Sequence, residues 1–286
     1  MSLAEYSTEQ LKEIANLLRR DVVTMIAKAG SGHPAGSLGM ADVFTALYFK
    51  VLSHNPEMPD WIERDRVILS NGHICPILYA TLARAGYFPP EELNNLRQLG
   101  NKLQGHPSKK DFSLVEASSG SLGHGLSVAA GMALTAKKEG KQYAIWCLMS
   151  DAEHQEGSVW EATMFGARNQ LDNLKVIVDR NNIQLSGDID NIMPINPLKQ
   201  KYESFGWQVF EVDGHNIEDL IKILQEAKNY QDGPCVILAK TISGKGVGFM
   251  EGKWRWHGKA PNAEETKKAL EELNIQFQNL KNKNIV

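Results

Sequence analysis

Two oxygen-bearing side chains stand at the ends of two apolar runs. Asp151 follows Ala144-Ile-Trp-Cys-Leu-Met149 after one serine, and Asn181 follows Val176-Ile-Val178 after a short polar step. Between them, residues 157–170 have the pattern of a helix. The unit reads as strand, helix, strand, with a ligand at the carboxyl end of each strand. Those ends are where ligands bind in an open parallel sheet. A carboxylate, an amide oxygen and a nearby backbone carbonyl suit a hard cation, and magnesium completes its octahedron with waters or substrate phosphates. The spacing therefore predicts a clamp for a magnesium-bound diphosphate. Asp151 alone would be read as a cap on the next helix; Asn181 on the neighbouring strand favours the clamp.

Five histidines sit beside glycine or proline in loops: His33, His73, His106, His124 and His257. One such histidine is usually a solvated side chain. Five suggest a site lined by imidazoles, which donate or accept hydrogen bonds near neutral pH and suit sugar hydroxyls, phosphate oxygens and proton transfer. A zinc site is the rival reading, without a His-x-x-x-His or Cys-x-x-Cys spacing to support it.

The elements that must position these groups follow from periodicity. A helix is expected over 7–29, capped by Ser7 or Thr8, with Leu11, Ile14, Leu18, Val22 and Ile26 at helical spacing. A glycine-rich break over 30–39 and a second helix over 40–52 come next. Strands are expected at 66–69, 143–149, 174–178, 208–212 and 235–239. Helices are expected at 74–85, 120–138, 157–170, about 195–205, 216–229 and 264–273, with a polar tail over 276–286. Residues 100–119 read as a long polar loop, a length that is often functional. The small residues of 120–138 allow close backbone approach. Alternating strands and helices imply an α/β fold: one domain over 1–286, a parallel β-sheet flanked by helices. No internal repeat appears.

Composition narrows the function. The chain has 286 residues, 23% of them charged, and a net charge of −3, which gives no footprint for nucleic acid. No apolar run reaches the roughly 20 residues that span a bilayer. The N-terminal segment is amphipathic with mixed charge, unlike a signal peptide. Cys75, Cys147 and Cys235 are widely separated and lie in or near apolar runs; a reduced, cytoplasmic setting is expected.

The stretch from Ser150 to Asn182 resembles the thiamine diphosphate motif, and Glu156-Gly157 with Trp160-Glu161-Ala162 is similar to the transketolase branch. Ser31-Gly-His-Pro34 with Gly39-Met-Ala-Asp42 resembles that family's first active-site loop, and Asp65-Arg-Val-Ile-Leu-Ser-Asn-Gly-His73 its second. Gly105-His-Pro107 and Ser119-Gly-Ser-Leu-Gly-His-Gly125 resemble the third and fourth. His257 falls where the family has its last active-site histidine. The resemblance covers nearly the whole chain. It departs in the opening triplet, Ser150-Asp151-Ala152, where the family has Gly-Asp-Gly. Ala152 keeps the backbone N–H that the second glycine lends to the diphosphate, so binding survives if the backbone there avoids positive φ. Ser121 replaces a usual Pro, and His124 a frequent Gln.

The resemblance implies thiamine diphosphate and Mg2+ (or Ca2+ or Mn2+ in its place) as cofactors. It implies that His73 and His257 contact the diphosphate and that His33 and His106 face donor and acceptor sugar hydroxyls. Gly120, Ser121 and Leu122 would lie against the cofactor's rings, beside Ala152. Asp151, Asn181 and the carbonyl of Ile183 would hold the metal. Glu156 and Glu161 match acidic residues at a dimer interface near the cofactor; together with His33, His106 and His257 they form the expected catalytic set.

Thiamine chemistry also needs a carboxylate hydrogen-bonded to the cofactor's aminopyrimidine. In transketolases it belongs to a second domain, which does not lie within these residues. The resemblance therefore implies the N-terminal subunit of a split transketolase acting on sugar phosphates. The C-terminal subunit would be a separate chain, and a homodimer of this subunit would sit within a heterotetramer. Met1 and the polar end argue mildly against a piece cut from a longer protein. Two alternatives stay open. One is part of a 1-deoxyxylulose-5-phosphate synthase-like enzyme, against which Gly105-His-Pro107, Trp160-Glu161-Ala162 and His257 speak. The other is a non-catalytic thiamine diphosphate-binding protein, supported only by the altered triplet.

Overall fold

The computed structural model describes residues 6–283. Helix α1 spans Thr8–Ala29 and is opened by a reciprocal capping box: Ser7 accepts from the Gln10 backbone N–H, and the Gln10 side chain returns to Ser7. Such a cap is worth about 1 kcal/mol. Gly30, at φ 66°, ends the helix in the left-handed conformation. Two short helices come next, α2 (Pro34–Gly39) and α3 (Ala41–Ala46), the latter running into a π-turn at Leu47–Val51.

Strand β1 (Arg66–Leu69) leads to α4 (Cys75–Arg84), and α5 is His124–Lys138. Then come β2 (Ile145–Ser150), a 3-10 turn at Asp151–Gln155, α6 (Gly157–Arg168) and β3 (Leu174–Arg180). A small hairpin, β4 (Ile183–Gln184) with β5 (Gly187–Asp188), precedes α7 (Ile189–Ile192) and α8 (Leu198–Ser204). The chain ends in β6 (Gln208–Asp213), α9 (Ile217–Asn229), β7 (Cys235–Lys240) and α10 (Ala263–Lys283).

The main sheet has the order β1-β2-β3-β7-β6, and every pairing in it is parallel. Its central strands are buried on both faces, which is why they read as unbroken apolar runs rather than alternating ones. Residues of α1, α3, α4, α9 and α10 share one apolar core, while α5, α6 and α8 supply the other. The result is a single α/β domain with the sheet between two helical layers.

Four expectations needed correction. The break over 30–39 contains α2, because Pro34 is pre-set for the first helical turn and needs no N–H there. The helix expected over 40–52 is shorter and closes in a π-turn. The helix expected from 120 begins at His124, because Gly123 takes φ 78°. The polar tail over 276–286 is helical as far as Lys283, α10 being anchored through Ala269 and Leu273 in the core; residues 284–286 lie outside the described residues.

Candidate active site

The strands deliver their ends to one cavity of about 350 Å³, within the size range of small-molecule sites. Its wall includes His33, His73, His106 and His257, with Gly120 and Leu122, then Ser150, Ala152 and Glu156, and Asn181 with Ile183. His33 is the hub of the imidazoles. Its ring centroid lies 5.2 Å from His73, 6.2 Å from His106 and 5.5 Å from His257, and His73 lies 5.0 Å from His257. Each comes from a different loop: His33 before α2, His73 after β1, His106 from the long loop, and His257 after β7. Glycine allows this crowding. A Cβ on Gly120, already at φ 142°, would stand 3.3 Å from the His106 ring, and one on Gly258 would stand 3.4 Å from His33.

These imidazoles are held neutral. Burial lowers His33 to about 4, helped by His257, Arg97 and His106. Burial pushes His73 well below its ordinary value, with its three histidine neighbours adding to the effect. His106 falls through burial and Arg97, and His257 through burial. A neutral imidazole can donate at one nitrogen and accept at the other, so the cluster can bind hydroxyls without repelling itself.

Below the cavity floor, Asp151 is 1% exposed. One carboxylate oxygen accepts from the Ala152 N–H at 2.8 Å, the other from the Asn182 N–H at 2.6 Å. Asn182 has φ 59°, a left-handed conformation that asparagine tolerates better than most residues. It turns the chain so that Asn181 and Ile183 both reach the cavity. The Asn181 amide oxygen accepts from the Ile183 N–H at 2.8 Å, and its NH2 donates to Asp179 at 2.8 Å. Burial, and then Asp179, raises Asp151 to about 8, while burial raises Asp179 to about 6.

The altered triplet costs no backbone strain. Ser150 is extended at φ −89°. Among the described residues, positive φ outside glycine occurs at Arg97, Gln170 and Asn182, and not at Ala152.

Other expected residues stand apart. His124 starts α5 and does not line the cavity, so four of the five loop histidines converge rather than all of them. Ser121 is exposed beside the wall. Glu156 lines the cavity and is exposed in the single chain; Glu161, further along α6, is exposed and outside it. Several neighbours were not anticipated. Leu185 is 65% exposed and lies on the cavity with Leu122, 41% exposed. Asp179, also in the wall, accepts from Thr241. Buried His154 braces Asp151, meeting its carbonyl at 2.9 Å and the Tyr202 hydroxyl at 2.9 Å. Buried Glu153 accepts from Ser70, Gly123 and Ser150. The S-x-x-E spacing of Ser150 and Glu153 was the available signal for the last of these.

The chain matches the family described as transketolase, thiamine diphosphate binding domain, over residues 10–281. It belongs to the transketolase family. Among its relatives, a 6-deoxy-6-sulfo-D-fructose transketolase subunit of Clostridium sp. (strain MSTE9) is 40% identical, with 92% of this chain and 96% of the relative covered. An apulose-4-phosphate transketolase subunit from Phocaeicola vulgatus is 37% identical, with 93% and 94% covered. Transketolase from Campylobacter jejuni has the same fold at a TM-score of 0.88 and 39% identity, over 94% of this chain. The chain spans 43% of that longer transketolase. Its α/β domain is thus the thiamine diphosphate-binding part of a transketolase, and relatives of its own length are named as subunits.

Proposed function

We propose that this chain is the N-terminal subunit of a thiamine diphosphate- and magnesium-dependent transketolase, transferring a two-carbon ketol unit from a ketose phosphate to an aldose acceptor. The observation that carries this reading is one cavity at the carboxyl end of a parallel sheet that gathers four neutral imidazoles with Ala152, Asn181 and Ile183. When bound, thiamine diphosphate supplies the reactive thiazolium carbon that takes up the two-carbon unit.

The donor set fits the metal. Each Asp151 oxygen holds one backbone N–H and keeps a lone pair, and Asn181 keeps one on its amide oxygen. With the Ile183 carbonyl these are hard oxygen ligands suited to Mg2+, or to Ca2+ or Mn2+. Among the described residues no three His, Cys, Asp or Glu side chains converge as a metal cage, so such a cation would take its remaining ligands from diphosphate and water. In this reading His73 and His257 bind the diphosphate and His33 and His106 the sugar hydroxyls. Gly120, Ser121 and Leu122 flank the cofactor's rings, with Leu185 as a second apolar wall. The backbone at Ala152 is unstrained, which weighs against a non-catalytic binding protein; its N–H donates to Asp151 at 2.8 Å and would have to leave that carboxylate to reach the diphosphate.

The partner is a separate C-terminal subunit carrying the carboxylate that activates the aminopyrimidine. Two copies of this chain would pair through the faces bearing Glu156 and Glu161, within a heterotetramer. The names of relatives of similar length support the split arrangement. The three free, buried cysteines fit a reducing, cytoplasmic setting. No helix among the described residues is long and apolar enough to cross a membrane.

The test is an assay of the purified chain with thiamine diphosphate and Mg2+, first by itself and then with a C-terminal transketolase subunit. Ketol transfer is expected only in the mixture. Full turnover by the chain alone would refute the split-subunit reading.

A further inference from the structure

Glu153 is fully buried and sits in the 3-10 turn just after β2. Its two oxygens accept from four donors. Oε1 takes the Ser70 hydroxyl and the Gly123 N–H at 2.9 Å; Oε2 takes the Ser150 N–H at 2.7 Å and the Ser150 hydroxyl at 3.2 Å. The Ser70 oxygen in turn accepts from the Gly125 N–H at 3.2 Å. Four donors saturate the acceptor capacity of a carboxylate. No Lys or Arg forms an ion pair with it among the described residues, so the neutral donors carry its stabilisation.

The anchor points matter because of their neighbours along the chain. Ser70 directly succeeds β1, three residues before His73. Ser150 ends β2, immediately before Asp151 and Ala152. Gly123 opens α5, immediately after Gly120-Ser-Leu122. Each neighbouring segment forms part of the cavity wall or floor. One carboxylate therefore locks together three loops that come from three separate elements.

We infer that Glu153 is a positioning residue. Through Ser70, Gly123 and Ser150 it fixes the loop under the diphosphate relative to the loop against the cofactor's rings. This rests on the thiamine diphosphate reading above. It also gives the serine at position 150 a task. Where the related motif opens with glycine, Ser150 contributes a hydroxyl that closes a capping box with Glu153. Neither Glu153 nor Ser70 lines the cavity, so the effect is exerted through the backbone of their neighbours.

Glu153→Gln keeps the shape but turns an NH2 toward one of the two donor pairs. In the complex with the partner subunit, KM for thiamine diphosphate at fixed Mg2+ is expected to rise about tenfold or more, as for other groups that orient ligands from behind. At saturating cofactor kcat should stay within about twofold, because the reacting groups are untouched. A merely structural defect would instead lower the active fraction, and hence kcat, at unchanged KM. Ser150→Gly removes the hydroxyl and keeps the N–H; it should raise KM by a smaller factor, and the double variant should be no worse than Glu153→Gln alone. A wild-type KM in both single variants overturns the inference. If Glu153→Gln does not fold, a wild-type KM in Ser150→Gly overturns it. Failure of the unmodified complex to bind thiamine diphosphate at all would instead sink the functional reading and take this inference with it.

Discussion

Ser150 on β2 and Asp179 on β3 are partners in the parallel register. Asp151, the next residue after Ser150, and Asn181, two residues on from Asp179, therefore leave the sheet within one residue of the same height. The Asn182 N–H then closes the pair through Asp151 at 2.6 Å. Two oxygen-bearing side chains 30 residues apart in sequence become neighbours because two buried strands hold one register.

The first prediction follows from their unequal charge. Asp151→Ala removes the proposed anionic ligand and the acceptor of two backbone N–H groups, whereas Asn181→Ala removes a neutral ligand. Calorimetry of thiamine diphosphate with Mg2+ should show both variants weakened. Asp151→Ala should lose at least about tenfold, equivalent to about 1.4 kcal/mol, and Asn181→Ala less. Wild-type affinity in Asp151→Ala would place the metal elsewhere.

A second prediction concerns pH. His33 titrates at about 4 in the folded chain against an ordinary value of 6.5. Burial is the main cause, with His257, Arg97 and His106 adding to it, and His73 also faces the ring at 5.2 Å. Between these two pH values the unfolded chain holds more protons at this site than the folded one, so this site lowers stability as pH drops below 6.5 and the loss is complete only below about 4. Asp151 and Asp179, raised in the folded chain, act in the opposite sense within that window, so the test is a difference: urea midpoints of the unmodified chain should fall relative to those of His33→Asn, which has no such proton to take up. Parallel curves for the two proteins would mean that His33 is not the group responsible.

The strands were legible because a parallel sheet buried on both faces leaves apolar runs that stand out from their surroundings. Asp151 and Asn181 could be found at the ends of those runs. The imidazole cluster was legible only as glycine-flanked histidines. Nothing in the spacing says that His124 turns away while His33 becomes the hub; that depends on which loop packs against which. Glu153 was hidden for a related reason. Its partners Ser70 and Gly123 lie 83 and 30 residues away, and only the local Ser150 contact has a sequence signature. Helix ends failed where one residue decided them, as Gly123 did for α5.

A third prediction uses two glycines of α5. A Cβ on Gly125 would press into the Ser70 side chain and backbone at the end of β1, whereas one on Gly131 meets nothing within 4 Å. Gly125→Ala must push the helix off the sheet and should cost about 1–3 kcal/mol or more, as overpacking does. Gly131→Ala, in the same helix, should stabilise the isolated chain by up to about 1 kcal/mol through helix propensity. Denaturant unfolding of the two variants should differ in sign; equal effects would show that α5 does not pack tightly against the end of β1.

The last prediction concerns assembly. On α6 the residues Glu161, Met164, Phe165 and Arg168 are exposed in the single chain, while Val159, Ala162, Thr163 and Gly166 face the core. Positions three and four apart share a helix face, so the outer stripe carries two large apolar side chains between charges. Met164 is 51% exposed and Phe165 42%. Scattered exposed apolar residues are ordinary, but these two adjoin Glu161, and α6 begins directly after Glu156 in the cavity wall. A second copy covering this stripe would bury both apolar side chains and bring its own surface to the cavity. Sedimentation should therefore show a dimer of this chain, and Phe165→Asp should shift it to monomer by placing an unpaired carboxylate in the interface. Circular dichroism should be unchanged, since Phe165 lies outside both cores. With the partner subunit present, the same variant should lose ketol transfer along with the dimer. A dimer that survives Phe165→Asp, or an unmodified chain that stays monomeric with its partner bound, would rule out this face as the contact between copies.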